Sequence, residues 1–173
     1  TKPVLMQITV SGAIMLGEPN VLKIDYMPVC SSSSVKTYMD YRAITSVSSK
    51  QYQFIKANMT VNEKGLLVDH NGYVAVALGS FFKEIGSKYI FTLDSGVELK
   101  VVKADEKSDA HTYSGCGQRW DGSVIEFIVN KEKAMSYFGN SSNGLVLNGN
   151  FNNSTEFKGK IISIERVGNN DYW

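Results

Sequence analysis

The chain has 173 residues with a net charge of +1, and 43% of them are hydrophobic. This composition excludes a disordered chain and suffices for one domain with a core of its own. Lysine and arginine are scattered, and no apolar run reaches the roughly 18 residues that cross a bilayer, so we expect neither nucleic-acid binding nor a membrane span. The chain starts at Thr1 without a methionine or a basic segment, as a mature or trimmed product would.

Two strands are predicted within the first 35 residues. Residues 4–10 are mostly apolar, and residues 21–27 alternate apolar with polar side chains. Pro28 then begins a loop that contains four consecutive serines. We expect residues 1–35 to form an extra N-terminal strand pair that is part of, or appended to, a main domain of residues 36–173.

The next segment changes from a strand pattern to a helical one. Residues 36–47 are rich in Tyr, Met, Ile and Val, which predicts a strand. Within residues 48–59, Tyr52, Ile55 and Met59 recur at helical spacing after serines that can cap a helix. We therefore expect one short helix here, packed outside one end of the β-structure.

Short strands dominate from residue 65 onward, separated by Gly, Asn, Asp and Ser. The Asp-Ser-Gly sequence at 94–96 predicts a tight turn, and residues 131–138 predict two helical turns. Residues 139–156 are rich in Asn, Gly and Ser and predict a loop that can carry a short hairpin. The strands are predicted at residues 65–70, 72–78, 88–94, 96–104, 122–130 and 157–167.

This rhythm of short strands indicates the fold class. Many strands at close spacing with few helices are typical of a closed barrel or a sandwich. Residues 73–78 and 124–129 are nearly apolar throughout, which favours a barrel, whose strands are buried on both sides.

The two cysteines, Cys30 and Cys116, leave two alternatives open. Neither belongs to a C-x-x-C spacing, which argues against zinc binding and thioredoxin-type redox chemistry. They are either two free thiols or one disulfide that closes a long loop and stabilises the fold by about 3–4 kcal/mol.

Carboxylates and other ionisable groups gather where the strand at 96–104 ends. Asp105 and Asp109 follow that strand, and Glu126 lies inside an apolar strand. Burial would raise the pKa of Glu126 into the range of a general acid. Alternatively, Glu126 lies on the wet face of an edge strand or pairs with Lys103, and Asp105 and Asp109 belong to a solvated turn.

His111 could act as a general base, a ligand or an ordinary loop residue beside Thr112. A tight metal site needs three or four ligands, so we expect no metal and no cofactor. The sequence contains neither a G-x-S-x-G nucleophile motif nor a glycine-rich phosphate loop.

Several stretches together resemble one family. EIGSKYIF, VVKADEKSDA and IEFIV, at residues 84–91, 101–110 and 125–129, resemble the three-aspartate (3D) domain family, and YRAIT at 41–45 is similar to its first strand. That family is related to lytic transglycosylase A and to rare-lipoprotein-A-like proteins. The resemblance covers about residues 36–130 and implies a mainly β fold, a six-stranded double-psi β-barrel with one or two short helices. The chain differs from the family pattern near Ala77, where an aspartate is replaced.

The resemblance also implies a function. It implies a bacterial enzyme that cleaves peptidoglycan glycan strands, a lytic transglycosylase or muramidase-like glycosidase that is secreted, cell-wall associated or carried by a virion. One carboxylic acid acts as general acid and base, and the resemblance assigns that role to Asp105. Glu126 and Asp109 are the other catalytic candidates, and the substrate-binding candidates are Tyr41, Thr45, Lys107, His111, Thr112 and Trp120.

A second function remains open at this point. A non-catalytic double-psi barrel could bind cell-wall glycan or a protein partner, for example as a component of a phage or of a surface assembly. Such a module needs only a groove or exposed aromatic side chains, which Trp120 and the terminal residues 171–173 would supply.

Overall fold

The computed structural model describes residues 22–139, residue 151 and residues 154–168, and within them the protein is mainly β, as predicted. Two α-helices, α1 and α2, span Lys50–Asn58 and Lys131–Phe138. The strands are β1 Leu22–Met27, β2 Thr37–Asp40, β3 Thr60–Val61, β4 Leu67–Val68, β5 Val74–Leu78, β6 Lys88–Leu93, β7 Glu98–Glu106, β8 Thr112–Tyr113, β9 Gly117–Gln118, β10 Glu126–Val129 and β11 Ile161–Gly168. The predicted strand at 4–10, most of the 139–156 loop and residues 171–173 lie outside the described residues.

Most of the strands form one mixed sheet in the order β1-β11-β6-β7-β5-β10-β2. β5 runs parallel to β7 and β2 runs parallel to β10, while the other neighbours in this order are antiparallel. β3 and β4 attach beside β5, and β8 pairs with β9 in a separate hairpin. β1 is the N-terminal strand that the sequence predicted at 21–27, and it pairs with β11 at one edge of the sheet.

The sheet is not closed into the six-stranded barrel expected from the sequence. In the described residues its backbone pairing ends at β1 on one side and at β2 on the other. β2 is only four residues long, and a 3-10 turn at Tyr41–Ala43 follows it directly. On this side the sheet therefore ends in a strand of only four residues.

The strand predicted at residues 36–47 is wrong beyond residue 40. The Asp40 carboxylate accepts the backbone N–H of Arg42 at 2.8 Å, which caps the turn and ends the strand. The predicted helix at 48–59 is confirmed, because Ser49 accepts the N–H of Tyr52 at 3.1 Å and α1 begins at the next residue, Lys50.

The sheet buries apolar side chains on both faces. In β5, Val76 and Leu78 belong to a large aromatic core on one face, and Ala75 belongs to a smaller core on the other. The smaller core lies under α1, whose Phe54 is fully buried there. This two-sided burial explains why the strand sequences are nearly continuous in apolar residues.

A buried ammonium group holds the β5–β6 connection in place. The side chain of Lys103, in β7, is fully buried. Its Nζ donates to the backbone carbonyls of Gly79, Phe82 and Lys83 at 3.0, 2.8 and 2.7 Å and to the carboxylate of Glu106 at 2.7 Å. These three carbonyls follow β5 in the chain, so one cation fixes this connection against β7.

Cys30 and Cys116 form a disulfide, with their Cα atoms 6.3 Å apart. The bridge joins the loop after β1 to the segment between β8 and β9. Two serine hydroxyls of the same loop support this attachment, because Ser31 and Ser33 donate to the carbonyls of Gly122 and Asp121 at 2.6 and 2.8 Å. Of the two alternatives left open by the sequence, the disulfide is the correct one.

Replacing Lys103 with methionine should lower the free energy of unfolding by about 3 kcal/mol, because three buried carbonyls lose their donor. Urea denaturation followed by circular dichroism measures this change. Lys83→Met is the matched control, since that side chain is exposed on the same connection. A Lys103→Met protein as stable as this control would contradict the role of the ammonium group.

Cys30→Ser and Cys116→Ser should each lower the free energy of unfolding by about 4 kcal/mol, because each removes the same cross-link. The double variant should be no less stable than either single variant. Urea denaturation measures all three proteins. Mass spectrometry of the unreduced wild type after alkylation should show no modified cysteine, and two modified cysteines would exclude the bridge.

Candidate functional site

Strand register brings Asp105 and Glu126 into one row across the sheet, here called the acid row. Glu126 in β10 lies opposite Ala77 in β5, and Ala77 lies opposite Asp105 in β7. Thr37 in β2 continues the row on the far side of Glu126. Two interstrand spacings of about 4.8 Å separate the Cα atoms of the two acids by about 10 Å. Ala77 is the residue between them in this row.

An irregularity in β7 decides which way Asp105 points. Val76 pairs with Lys103, but the next residue of β5, Ala77, pairs with Asp105, so Ala104 is an extra residue in β7. Without this bulge Asp105 would lie on the opposite face from Ala77. With it, the two carboxyl groups share a face of the sheet.

That face is the one covered by α1. Ala75 and Ile128, two residues from Ala77 and Glu126 in their strands, belong to the smaller core under the helix. Side chains two residues apart in a strand share a face, so the acid row continues this core at its border. Both acids are half-buried there.

Burial raises the pKa of Asp105 above its ordinary value. The backbone N–H of Glu106 donates to this carboxylate at 2.9 Å and lowers the pKa in part. The negative charge of Glu106 raises the pKa of Asp105, and the positive charge of Lys103 lowers that pKa by a smaller amount. The net effect of charge and burial therefore favours the protonated form of Asp105.

Burial also raises the pKa of Glu126, but the charges around it act differently. The Lys107 ammonium lowers the pKa of Glu126, and the charge of Asp105 raises it by a smaller amount. Of these charges Lys107 alone favours the ionised form of Glu126, and the charge of Asp121 opposes it as that of Asp105 does. The charge of Asp105 thus reaches Glu126 across Ala77 and favours the protonated form of Glu126.

Lys107 lies inside the protein rather than on a groove wall. Its side chain is buried and donates to the carbonyl of Ser123 at 3.2 Å. Burial lowers the pKa of Lys107 to about 8, against the opposing charges of Glu126 and Asp121. At neutral pH it is thus mainly a cation, and its charge acts on Glu126 from inside the protein.

The other two interpretations of Glu126 do not hold. β10 lies between β5 and β2, so it is not an edge strand of the described sheet. Lys103 pairs with the carboxylate of Glu106 at 2.7 Å, and the cation that acts on Glu126 is Lys107.

The remaining acidic and aromatic candidates lie on the excursion between β7 and β10. Asp109 is exposed and accepts the Ser80 hydroxyl at 2.5 Å, while Thr112 is buried and donates to the Asp109 carbonyl at 3.5 Å. The ring of His111 lies 5.7 Å from that of Trp120, which is 66% exposed. Asp109 thus faces solvent, and the carboxylate that shares the acid row with Asp105 is Glu126.

Tyr41 and Thr45 lie in a third place. They line an apolar cavity beside α1, and neither Asp105 nor Glu126 is among its lining residues. The structure therefore brings Asp105, Glu126 and Lys107 together and distributes the other candidates over the excursion and the cavity.

Sequence reasoning missed two residues next to the acids, Thr37 of β2 and Gln51 of α1. Thr37 lies opposite Glu126, and the Gln51 side chain of α1 lowers the pKa of Asp105 in part. Both belong to segments distant in sequence from the acids. Only strand register and helix placement reveal them, and the sequence carries no separate signal for either.

Comparison with protein-family models, with curated proteins and with solved structures gave no match to this chain. The resemblance to the three-aspartate family therefore stays a prediction. Among residues 22–139, 151 and 154–168, no helix combines the length and apolarity needed to span a membrane. The same residues contain no group of three or more His, Cys, Asp or Glu side chains arranged for a metal ion.

The raised pKa values predict a pH dependence of stability. Below about pH 4 both acids are protonated in the folded and the unfolded protein. As the pH rises through the folded-state pKa, the native protein holds the proton more tightly than the unfolded chain, so the free energy of unfolding falls. The variants Asp105→Asn and Glu126→Gln have no such proton to lose, so each should gain stability relative to the wild type as the pH rises above about 4.

Urea denaturation at several pH values measures that difference. Glu98→Gln is the control, because Glu98 is exposed in the same sheet. Parallel pH profiles for the wild type and both acid variants would contradict the raised pKa values.

Proposed function

We propose that the protein cleaves the glycan strands of bacterial peptidoglycan as an enzyme of the lytic transglycosylase type. The observation that supports this best is the acid row: Asp105 and Glu126 are half-buried, share one face of the sheet and have raised pKa values. A general acid needs a proton at neutral pH, and burial is the usual way to retain it on a carboxyl group.

The proposed reaction needs one acid that acts twice. Asp105 protonates the glycosidic oxygen, and the bond from that oxygen to the anomeric carbon of the muramic acid breaks. The 6-hydroxyl of the same sugar then forms a bond to the anomeric carbon and gives its proton to Asp105, which restores the acid. No water enters the product, so the second carboxylate of a hydrolase is not required.

The charges around the row support this division of roles. The largest neighbouring charge at Glu126, that of Lys107, lowers its pKa, whereas burial and the charge of Glu106 raise the pKa of Asp105. An ionised Glu126 also disfavours loss of the proton from Asp105 and stabilises positive charge that develops on the sugar.

We also propose that the sheet is a divergent form of the double-psi arrangement. β7 lies between β5 and β6, which run antiparallel to each other, and β10 lies in the same way between β5 and β2. β5, β6 and β7 follow one another in the chain and the last of them lies between the other two, which supports the relationship although the sheet is open.

The disulfide supports a secreted, cell-wall associated or virion location. Structural disulfides persist in oxidising surroundings and are rare in reducing ones. A substrate outside the cell membrane, such as peptidoglycan, agrees with such a location.

A second candidate function is binding of cell-wall glycan or of a protein without cleavage. It is favoured by the exposed aromatic side chains of the excursion, Trp120 at 66% and Tyr113 at 59%. The guanidinium of Arg119 lies 4.8 Å from the Tyr113 ring, and the disulfide anchors this segment. Aromatic faces of this kind suit sugar rings and partner proteins alike.

Asp105→Asn should abolish glycan cleavage, because the amide keeps the shape of the carboxyl group but delivers no proton. Glu126→Gln should lower the rate at least about tenfold, and His111→Ala should lower it less. The measurement is mass spectrometry of anhydromuramyl products released from purified peptidoglycan. Glu98→Gln is the control for loss of an exposed carboxylate.

Other outcomes separate the alternatives. Reducing ends that contain added water would indicate a hydrolase, and full activity of Asp105→Asn with loss in Glu126→Gln would exchange the two roles. Absence of any product from the wild type, together with sedimentation on cell walls that Trp120→Ala abolishes, would support the binding function.

A further inference from the structure

A cavity of about 540 Å³ lies between α1 and the segment that follows β2, apart from the acid row. Its volume is typical of small-molecule sites, which range from about 300 to 1,000 Å³. The residues that line it are Tyr41, Arg42, Ile44, Thr45, Val47, Tyr52, Ile55, Lys56, Met59, Thr60, Val61 and Leu67.

The walls of this cavity are mainly apolar and only partly covered. Ile44, Ile55, Met59 and Val61 are half-buried and pack against the smaller core, in which Leu67 is fully buried. The cavity is thus an open side of that core. Water against these side chains is unfavourable, and an apolar ligand that displaces it gains free energy.

The charges that line the cavity are all positive. Among the described residues that line it, Arg42 and Lys56 are the only ionisable ones besides the two tyrosines, and none is an acid. The Arg42 guanidinium is held by the carboxylates of Asp40 and Glu132, at 2.6 and 2.5 Å. Lys56 is exposed and, within the described part of the chain, forms no ion pair.

We propose that this cavity binds a free long-chain carboxylate, with its aliphatic chain along Ile44, Ile55 and Met59 and its carboxylate at Lys56. An unbranched chain needs only apolar walls, and its single charge matches the single available cation. A peptide would bring many backbone N–H and C=O groups to walls that are mainly apolar, where burying them is costly. The site does not depend on the acid row, so this proposal stands independently of glycan cleavage.

Displacement of the fluorescent fatty acid cis-parinaric acid by laurate tests the site. The wild type should bind laurate saturably at one site and bind dodecanol, which has the same chain without the charge, more weakly. Thr45→Trp should weaken laurate binding at least about tenfold, because Thr45 is an exposed lining residue and the larger ring occupies the cavity.

Lys56→Gln tests the carboxylate contact. It should weaken laurate binding about threefold and leave dodecanol binding unchanged, as expected for a partly exposed charge pair. Lys50→Gln is the matched control, since Lys50 is exposed in the same helix but does not line the cavity. Circular dichroism verifies that each variant is folded, and if Thr45→Trp is not, the Lys56→Gln comparison decides.

Several results would overturn the proposal. These are absence of saturable laurate binding, unchanged affinity in a folded Thr45→Trp protein, and equal effects of Lys56→Gln and Lys50→Gln. Binding to phospholipid vesicles without binding of free laurate would also overturn it, because the partner would then be a membrane surface.

Discussion

The contacts of one buried cation determine where the candidate site forms. Lys103 has no contact with water and binds three backbone carbonyls of the β5–β6 connection. Those contacts fix how β5 and β7 lie side by side, and the extra residue Ala104 follows directly in β7. The bulge turns Asp105 to the α1 face, so the acid row exists because the ammonium group and the bulge define this register. A fold that places a charge in its interior needs such complete hydrogen bonding, since an unpaired buried ammonium would be very costly.

The acid row lowers the stability of the fold locally, because it buries ionisable groups. Asp105, Glu126 and Lys107 are ionisable groups at the border of an apolar core, and burial disfavours the charged form of each. Apolar residues at these positions would suit the surrounding core better. Local features that oppose stability while the rest of the sequence is consistent with the fold are typical of functional sites. The energetics of these residues therefore indicate a candidate site here, independently of any relative.

Local patterns in the sequence predicted the helices and the turns, and long-range pairing decided the rest. Ser49 and the spacing of Tyr52, Ile55 and Met59 were sufficient to predict α1, and Asp-Ser-Gly at 94–96 predicted the β6–β7 turn, where Gly96 has a φ of +92°. Apolar content alone predicted a strand through residue 47, because it does not reveal that Asp40 caps a turn. Asp105 and Glu126 were recognised as candidates, but their relation through Ala77 depends on the register of three strands, which no local pattern specifies.

The order of the strands has a consequence for how the molecule folds. β1 pairs with β11, so Leu22 lies opposite Gly168, and β2 pairs with β10 in the same sheet. Both edges of the described sheet are thus formed by strands from the start of the chain that pair with strands near its end. Proteins dominated by such distant pairings fold slowly, since the entropy of closing long loops is lost before the contacts form. A chain that emerges from the ribosome in order cannot complete either edge until β10 and β11 have been made, and until then β1 and β2 present unpaired backbone to any other strand they meet.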